Sequence, residues 1–262
     1  MARISVCSWS LHREIPAIWQ KDVPSKFSLL DFPRLCVEEF GVNAAGLWQM
    51  HFLSADQNYV EKVKDALDGS GVRVVNIPVD SGYAAEPDPE RRRVGFEVIR
   101  RWFHIAEYLG SPFIRVNTGA GEGEEDLQRA IDGYRELVKT AEETGVDLLI
   151  ENHGGISASS DSIVKIIEGV GSEHFRACPD FGNFPAEIRY DELQKIAKYA
   201  ALVHVKTHGF SRSGEPAPVD IGRCVDLFKK QGFDGYYSVE FSGKGDQVEG
   251  VKSAVAELGR YV

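Results

Sequence analysis

Residues 147–155, DLLIENHGG, place a carboxylate and an imidazole, Glu151 and His153, at the end of a short apolar run, Leu148-Leu149-Ile150. Two residues apart on a strand, these side chains point to one face. Charge at the tip of a buried strand is costly unless a metal or a substrate compensates it. One such residue would be read as a solvated charge at a strand exit. Here the event recurs in three later apolar runs: FRACPD ends on Asp180, ALVHVKT carries His204 and Lys206, and GYYSVEF carries Glu240. If these strand ends converge, three carboxylates and an imidazole meet, and they repel one another without a cation. A single divalent metal ion resolves that repulsion. Oxygen-rich ligation with one nitrogen suits Mn2+ foremost, with Mg2+, Co2+ and Zn2+ also admitted.

The elements that must bring these ends together can be read from the pattern. Apolar runs fall at residues 4–9, 42–48, 72–78, 112–119, 147–153, 175–180, 201–207 and 235–241. Helical patterns lie between them. Asp31 is placed to cap the first and Asp56 to begin the second, which carries Tyr59, Val60, Val63 and Leu67. Asp88-Pro89 opens a long helix with Val94, Val98, Trp102, Ile105 and Leu109 on its apolar stripe. Residues 127–141 are amphipathic; Ile163, Val164, Ile167 and Val170 mark the next helix; Asp191 and Asp220 are read as caps of two more; and Val248, Val251, Val255 and Leu258 form the last stripe. Glycine recurs where helix passes to strand, at 41, 71, 110, 145, 171 and 232, as left-handed C-caps require. Strands alternating with helices imply parallel βαβ units, and eight of them predict a single (β/α)8 barrel over residues 1–262. A doubly wound open sheet is the alternative, but it binds ligands only at its switch point and leaves polar chemistry at so many strand ends unexplained. In a barrel the active site lies at the C-terminal strand ends. Those ends are Trp9, Trp48, Asn76, Asn117, Glu151 with His153, Asp180, His204 with Lys206, and Glu240.

Composition bounds the partners. The 262 residues are 43% apolar and carry a net charge of -10, a surface that repels phosphate backbones and argues against nucleic acid. Cys7, Cys36, Cys178 and Cys224 are scattered without a CxxC, so reduced thiols in a cytoplasmic protein are expected. There is no apolar run of the length of a signal peptide or membrane span, so no membrane partner is expected.

The motifs IENHGG (150–155), CPDFGNFP (178–185), HVKT (204–207) and YYSVEF (236–241) resemble the four ligand-bearing strand ends of the xylose isomerase-like barrels, the sugar phosphate isomerase/epimerase family. The resemblance covers essentially the whole chain. It implies that Glu151, Asp180, His204 and Glu240 hold the metal and that Glu151 and Glu240 also serve as the acid/base pair of catalysis. It departs from the family's HxHxKD, where this chain has Leu202 and Thr207 at the first and last positions. The endonuclease IV-like branch, with its three zinc ions, is disfavoured because Asn183 stands where that pattern has His. The implied activity is a metal-dependent sugar or sugar phosphate isomerase or epimerase acting through an enediolate on a small carbohydrate. A dehydratase of a cyclic polyol or hydroxy acid on the same site, and a non-catalytic sugar-binding barrel, are the alternatives. Relatives commonly self-associate, which keeps a homo-oligomer among the expected states.

Further residues complete the expected site. His153 and Lys206, in phase with Glu151 and His204, are read as substrate contacts, with Lys206 neutralising an enediolate oxygen. Asn117 and Asn183 are taken as polar substrate contacts, and Trp9 and Trp48 as an apolar wall for a sugar ring. Arg115, in phase with Asn117 and beside the fifth strand, is expected to hold Glu151 in place. GAGEG (119–123) lacks the lysine and spacing of a phosphate loop and is read as an acidic loop; Arg91-Arg92-Arg93 is read as a solvated helix face; residues 209–218 are read as a polar lid.

Overall fold

A computed structural model describes residues 3–20, 23–207 and 219–262, and the expected lid lies outside them. Among the described residues, eight parallel strands, β1 (Ile4–Cys7), β2 (Ala44–Gly46), β3 (Arg73–Val79), β4 (Phe113–Val116), β5 (Asp147–Glu151), β6 (Phe175–Cys178), β7 (Leu202–Thr207) and β8 (Tyr236–Phe241), alternate with α-helices. The helices are α1 (Phe32–Glu38), α2 (Gln57–Ser70), α3 (Pro89–Leu109), α4 (Glu124–Thr144), α5 (Ser160–Val170), α6 (Arg189–Ile196), α7 (Ile221–Lys230) and α8 (Gln247–Leu258). The strands follow one another in sequence order and β1 pairs with β8. This circular order is a (β/α)8 barrel; a doubly wound sheet would reverse at a switch point. The thinnest seam lies between β6 and β7, joined by two isolated bridges, Ala177 with Ala200 and Asp180 with His204.

Local chemistry accounts for most boundaries. Asp88 caps α3 by accepting from Arg91 N at 2.8 Å, with Pro89 at the first helical position, and Asp220 caps α7 by accepting from Arg223 N at 2.9 Å. Gly110 (φ 74°) and Gly145 (φ 69°) end α3 and α4 in the left-handed conformation. Three expectations are corrected. Asp31 precedes α1 with helical backbone, and its carboxylate turns back to the Ser28 N and Oγ instead of capping. Asp191 lies inside the first turn of α6, which begins at Arg189, so it meets the positive end of the helix without capping it. The buried stripe of α3 is Phe96, Ile99, Trp102, Phe103, Ile105, Ala106 and Leu109, so the expected Trp102, Ile105 and Leu109 are buried, Val98 is partly buried and Val94 is 46% exposed. The bulkier Phe96 and Phe103, about two turns apart, take the core and rotate the helix.

The barrel interior has an apolar floor and a polar top. Ala44, Val75, Leu149, Cys178, Ala201 and Leu202 pack together, with Phe113 and Tyr236 against them. Two residues further along the same strands stand the polar groups of the site: Leu149 precedes Glu151, Phe113 precedes Arg115, Cys178 precedes Asp180, Leu202 precedes His204, and the Tyr236 strand carries Ser238 and Glu240. The strand period of two therefore stacks a polar layer on an apolar one. β3 breaks the rule. Its register with β2 shifts between Ala45 and Gly46, opposite an extra residue, Val75. Val75 joins the floor while the adjacent Asn76 reaches His204, so the inward phase becomes Asn76, Pro78, Asp80.

The loop after β3 is tied to β4 by Ala84 N to Asn117 O and Ala85 N to Thr118 O, and α4 lies on it at Gly133. A Cβ at Gly133 would sit 2.0 Å from Ala84 O. An interior-helix Gly→Ala change ordinarily stabilises by about 1 kcal/mol. Here Gly133→Ala is expected to destabilise by about 2 kcal/mol or more through overpacking, lowering Tm by about 5 °C in a thermal melt. A raised Tm would refute the close approach.

Candidate active site

Four strand ends deliver Glu151, Asp180, His204 and Glu240 to one place, with residue exposures of 1%, 0%, 1% and 6%. One ligand atom from each lies within 4.8 Å of all the others. His204 Nδ1 is 2.8 Å from Glu151 Oε1 and 3.4 Å from Glu240 Oε1, and its Nε2 faces the Asn76 amide at 3.4 Å. Burial disfavours charge on His204, but Cys178, Glu240 and Glu151 outweigh burial and raise its pKa.

Each carboxylate is held differently. Glu151 is desolvated, which raises its pKa, but Arg115 and then His204 overcome this and hold it well below the usual carboxylate range. Arg115 Nε is 3.0 Å from Glu151 Oε2, off the line of a hydrogen bond, while Arg115 Nη1 bonds Asp80 Oδ1 at 2.5 Å. Arg115 thus stands beside Glu151 as expected. Asp180 is pushed up to about 6 by burial, against the pull of Lys206. Its Oδ1 accepts from Gly182 N and Asn183 N, and its backbone is clamped by Asn152, whose Oδ1 accepts from Asp180 N at 2.7 Å and whose Nδ2 donates to Asp180 O at 3.0 Å. Lys206 Nζ lies 3.6 Å from Asp180 Oδ2 and 3.9 Å from Glu240 Oε2, donates to Asn183 Oδ1 at 3.0 Å, and stands 5.4 Å over the Trp9 ring.

The other expected residues surround this cluster. Trp9 lies in a 3-10 turn just past β1, and Trp48 lies just past β2, where its Nε1 donates to Asp80 Oδ2 at 2.7 Å. Asn117 is turned toward Asp80, with Nδ2 at 3.3 Å from Oδ1. His153 is exposed above Glu151. Four participants escaped the sequence reading: Asp80, Asn152, Trp19 and His51. Trp19, 64% exposed, meets Trp48 edge-on at 6.1 Å and extends the aromatic wall outward. His51 is buried against Trp48 with Nδ1 3.0 Å from Ser8 Oγ, and burial lowers its pKa to about 3. Asp80 alone had a usable signal, a carboxylate straight after an apolar run.

The donor set fits a divalent cation. Glu151 Oε2 and Asp180 Oδ2 are buried and accept no hydrogen bond. Ligands about 2.1 Å from a small hard ion lie at most about 4.2 Å apart, close to the spread of the four groups. Glu151, Asp180, Glu240 and His204 would hold such an ion.

The sequence matches the xylose isomerase-like TIM barrel family over residues 36–260. The chain belongs to this family. No protein of curated function matches it. Solved structures of similar fold include the 3-keto-D-glucoside 4-epimerase YcjR of E. coli in its apo form, 18% identical, covering 99% of this chain and 100% of that one with a TM-score of 0.78. An L-ribulose 3-epimerase is 16% identical, covering 99% of this chain and 94% of that one, with a TM-score of 0.77. A xylose isomerase-like TIM barrel protein from Mycobacterium smegmatis, in complex with magnesium, is 16% identical, covering 100% and 98% with a TM-score of 0.75. No helix among the described residues of this chain is long and apolar enough to cross a membrane.

Two outcomes follow from the geometry. Asn152→Leu keeps the volume but strands the Asp180 N–H and C=O, so it should cost about 2–4 kcal/mol and weaken Mn2+ binding in a calorimetric titration. Unchanged Tm and affinity would show the clamp to be idle. A cation bound only by the folded state raises stability, so EDTA should lower the Tm of the native protein, and Glu240→Gln should narrow the gap between the two melts. Coincident melting curves with and without chelator would remove the metal assignment.

Proposed function

We propose that this protein is a divalent-metal-dependent isomerase or epimerase of a sugar or sugar phosphate, moving a proton between substrate carbons or faces through an enediolate. The observation that carries the reading is the position of Glu151 Oε1 and Glu240 Oε1, both against His204 Nδ1 yet borne on β5 and β8, with two strands between them. Two carboxylates converging from different sides of one buried point suit an acid and a base acting on opposite faces of one carbon, or on neighbouring carbons.

When bound, the dication, Mn2+ in the favoured reading, supplies Lewis-acid polarisation of the substrate oxygens. The remaining work belongs to the chain. One of the two glutamates takes the proton next to the carbonyl, and the other returns a proton. Arg115 and His204 keep Glu151 ionised, so it begins able to accept. Lys206, with its pKa raised because Asp180 and Glu240 outweigh burial, remains a cation facing the negative charge that develops on oxygen. Asn183 aims Lys206, and Asn152 fixes Asp180. Trp9, Trp48 and the outer Trp19 offer ring faces and edges for the substrate's carbon skeleton. His153 at the rim contacts its distal oxygens. Asn117 steadies Asp80, with its buried, unbonded Oδ1 left for a substrate hydroxyl.

The test is turnover of a panel of free and phosphorylated ketoses and aldoses in D2O. Deuterium is expected on the carbon next to the carbonyl. Glu151→Gln and Glu240→Gln are each expected to lower kcat by about 10²–10⁴-fold, since a neutral amide cannot act as base. Product without solvent deuterium would replace proton transfer with a hydride shift, and a product lighter by one water would make the enzyme a dehydratase.

A further inference from the structure

Asp80 stands one residue beyond β3, brought into the barrel's inward phase by the extra residue Val75. Its side chain is 29% exposed, yet it is densely held. Arg115 Nη1 and Asn117 Nδ2 donate to Oδ1, Trp48 Nε1 donates to Oδ2, and the Asp80 backbone N–H donates to Gln49 Oε1 at 3.2 Å. Arg115 overcomes the effect of burial and keeps the Asp80 carboxyl below its ordinary range, so it is an anion.

This anion changes what Arg115 does to Glu151. The in-line hydrogen bond of the guanidinium goes to Asp80, and Glu151 Oε2 receives only the off-line approach of Nε at 3.0 Å. Glu151 is thereby oriented and electrostatically supported while keeping an oxygen with no donor on it. The charges close as well. Glu151, Asp180, Glu240 and Asp80 carry four negative charges, Arg115 and Lys206 two positive ones, and a dication with neutral His204 brings the group to zero. Without Asp80 the loaded centre would hold one uncompensated positive charge, and Arg115 would be free to turn fully onto Glu151.

We propose that Asp80 is a positioning residue of the metal centre, which cancels the charge of Arg115 and holds its guanidinium off Glu151 so that the four ligands accept a divalent cation. This rests on the metal-dependent reading above. Asp80→Asn is isosteric and keeps one acceptor oxygen for Arg115, while its amide NH2 meets the Trp48 Nε1–H without bonding it, so it removes the charge and the Trp48 bond with little change in shape.

The experiment is titration of chelator-treated protein with Mn2+, reading bound ion by calorimetry and free ion by electron paramagnetic resonance, with far-UV circular dichroism to verify folding. Asp80→Asn is expected to weaken Mn2+ binding by about tenfold or more, the order expected for one uncompensated charge near a dication in a partly buried site. Asp80→Glu should bind within about threefold of the native protein, since it restores the charge. The double variant Asp80→Asn/Arg115→Gln, neutral at both positions, should recover most of the lost affinity, which damage to the fold would not allow. Native-like binding by Asp80→Asn, or no recovery in the double variant, overturns the role of Asp80 alone. Failure of the native protein to bind Mn2+ overturns the metal reading and this role with it.

Discussion

The ion pair between Arg115 and Glu151 is the contact on which the upper half of the barrel depends. Both side chains are almost wholly buried, and neither could be left there alone: an unpaired buried charge costs about 3–5 kcal/mol or more. Arg115 therefore sits on the strand beside Glu151, and its Nη1 donor is met by Asp80, just past the next strand. Asp80 in turn fixes Trp48, so the placement of an aromatic wall traces back to one buried carboxylate. Across the barrel Lys206 has the corresponding duty toward Asp180 and Glu240.

Those groups are held almost entirely by strands. Strand-borne side chains inherit the rigidity of a closed hydrogen-bonded ladder, and the apolar floor beneath them prevents the polar layer from sinking. Variation is left to the surrounding turns, which carry Trp9, Trp19 and His51. This division suits a family whose members differ in substrate while sharing a barrel.

The barrel was legible because its signals are local and repeated: an apolar run, then an amphipathic stretch, then a glycine. The quartet was legible for a related reason. Leu149 and Glu151, or Leu202 and His204, stand two apart, so strand phase alone aligns them. Asp80 escaped because Val75 shifts the phase of β3, and nothing in the sequence marks a bulge whose cause is pairing with β2. Asn152 escaped because it lies out of phase with its neighbours, and its partner is the backbone just past the adjacent strand, far away only in sequence. The α3 stripe was read correctly at Trp102, Ile105 and Leu109 but wrongly begun at Val94, because the valine fits the helical period as well as the larger Phe96 and Phe103 that won the core. In each case the deciding contact is tertiary.

The sparse join between β6 and β7 bears on more than geometry. A barrel avoids aggregation-prone strand edges only while its circle is complete. Of the two bridges that complete it here, the upper one links Asp180 to His204, two of the residues proposed to grip the same ion. In that reading the ion is also a clasp. The bridge itself rests on backbone bonds, His204 N to Pro179 O at 2.9 Å and Phe181 N to His204 O at 3.0 Å, so the ion would add a second, side-chain tie across the same seam and make the closing of the circle, as well as the chemistry, firmer when it is bound.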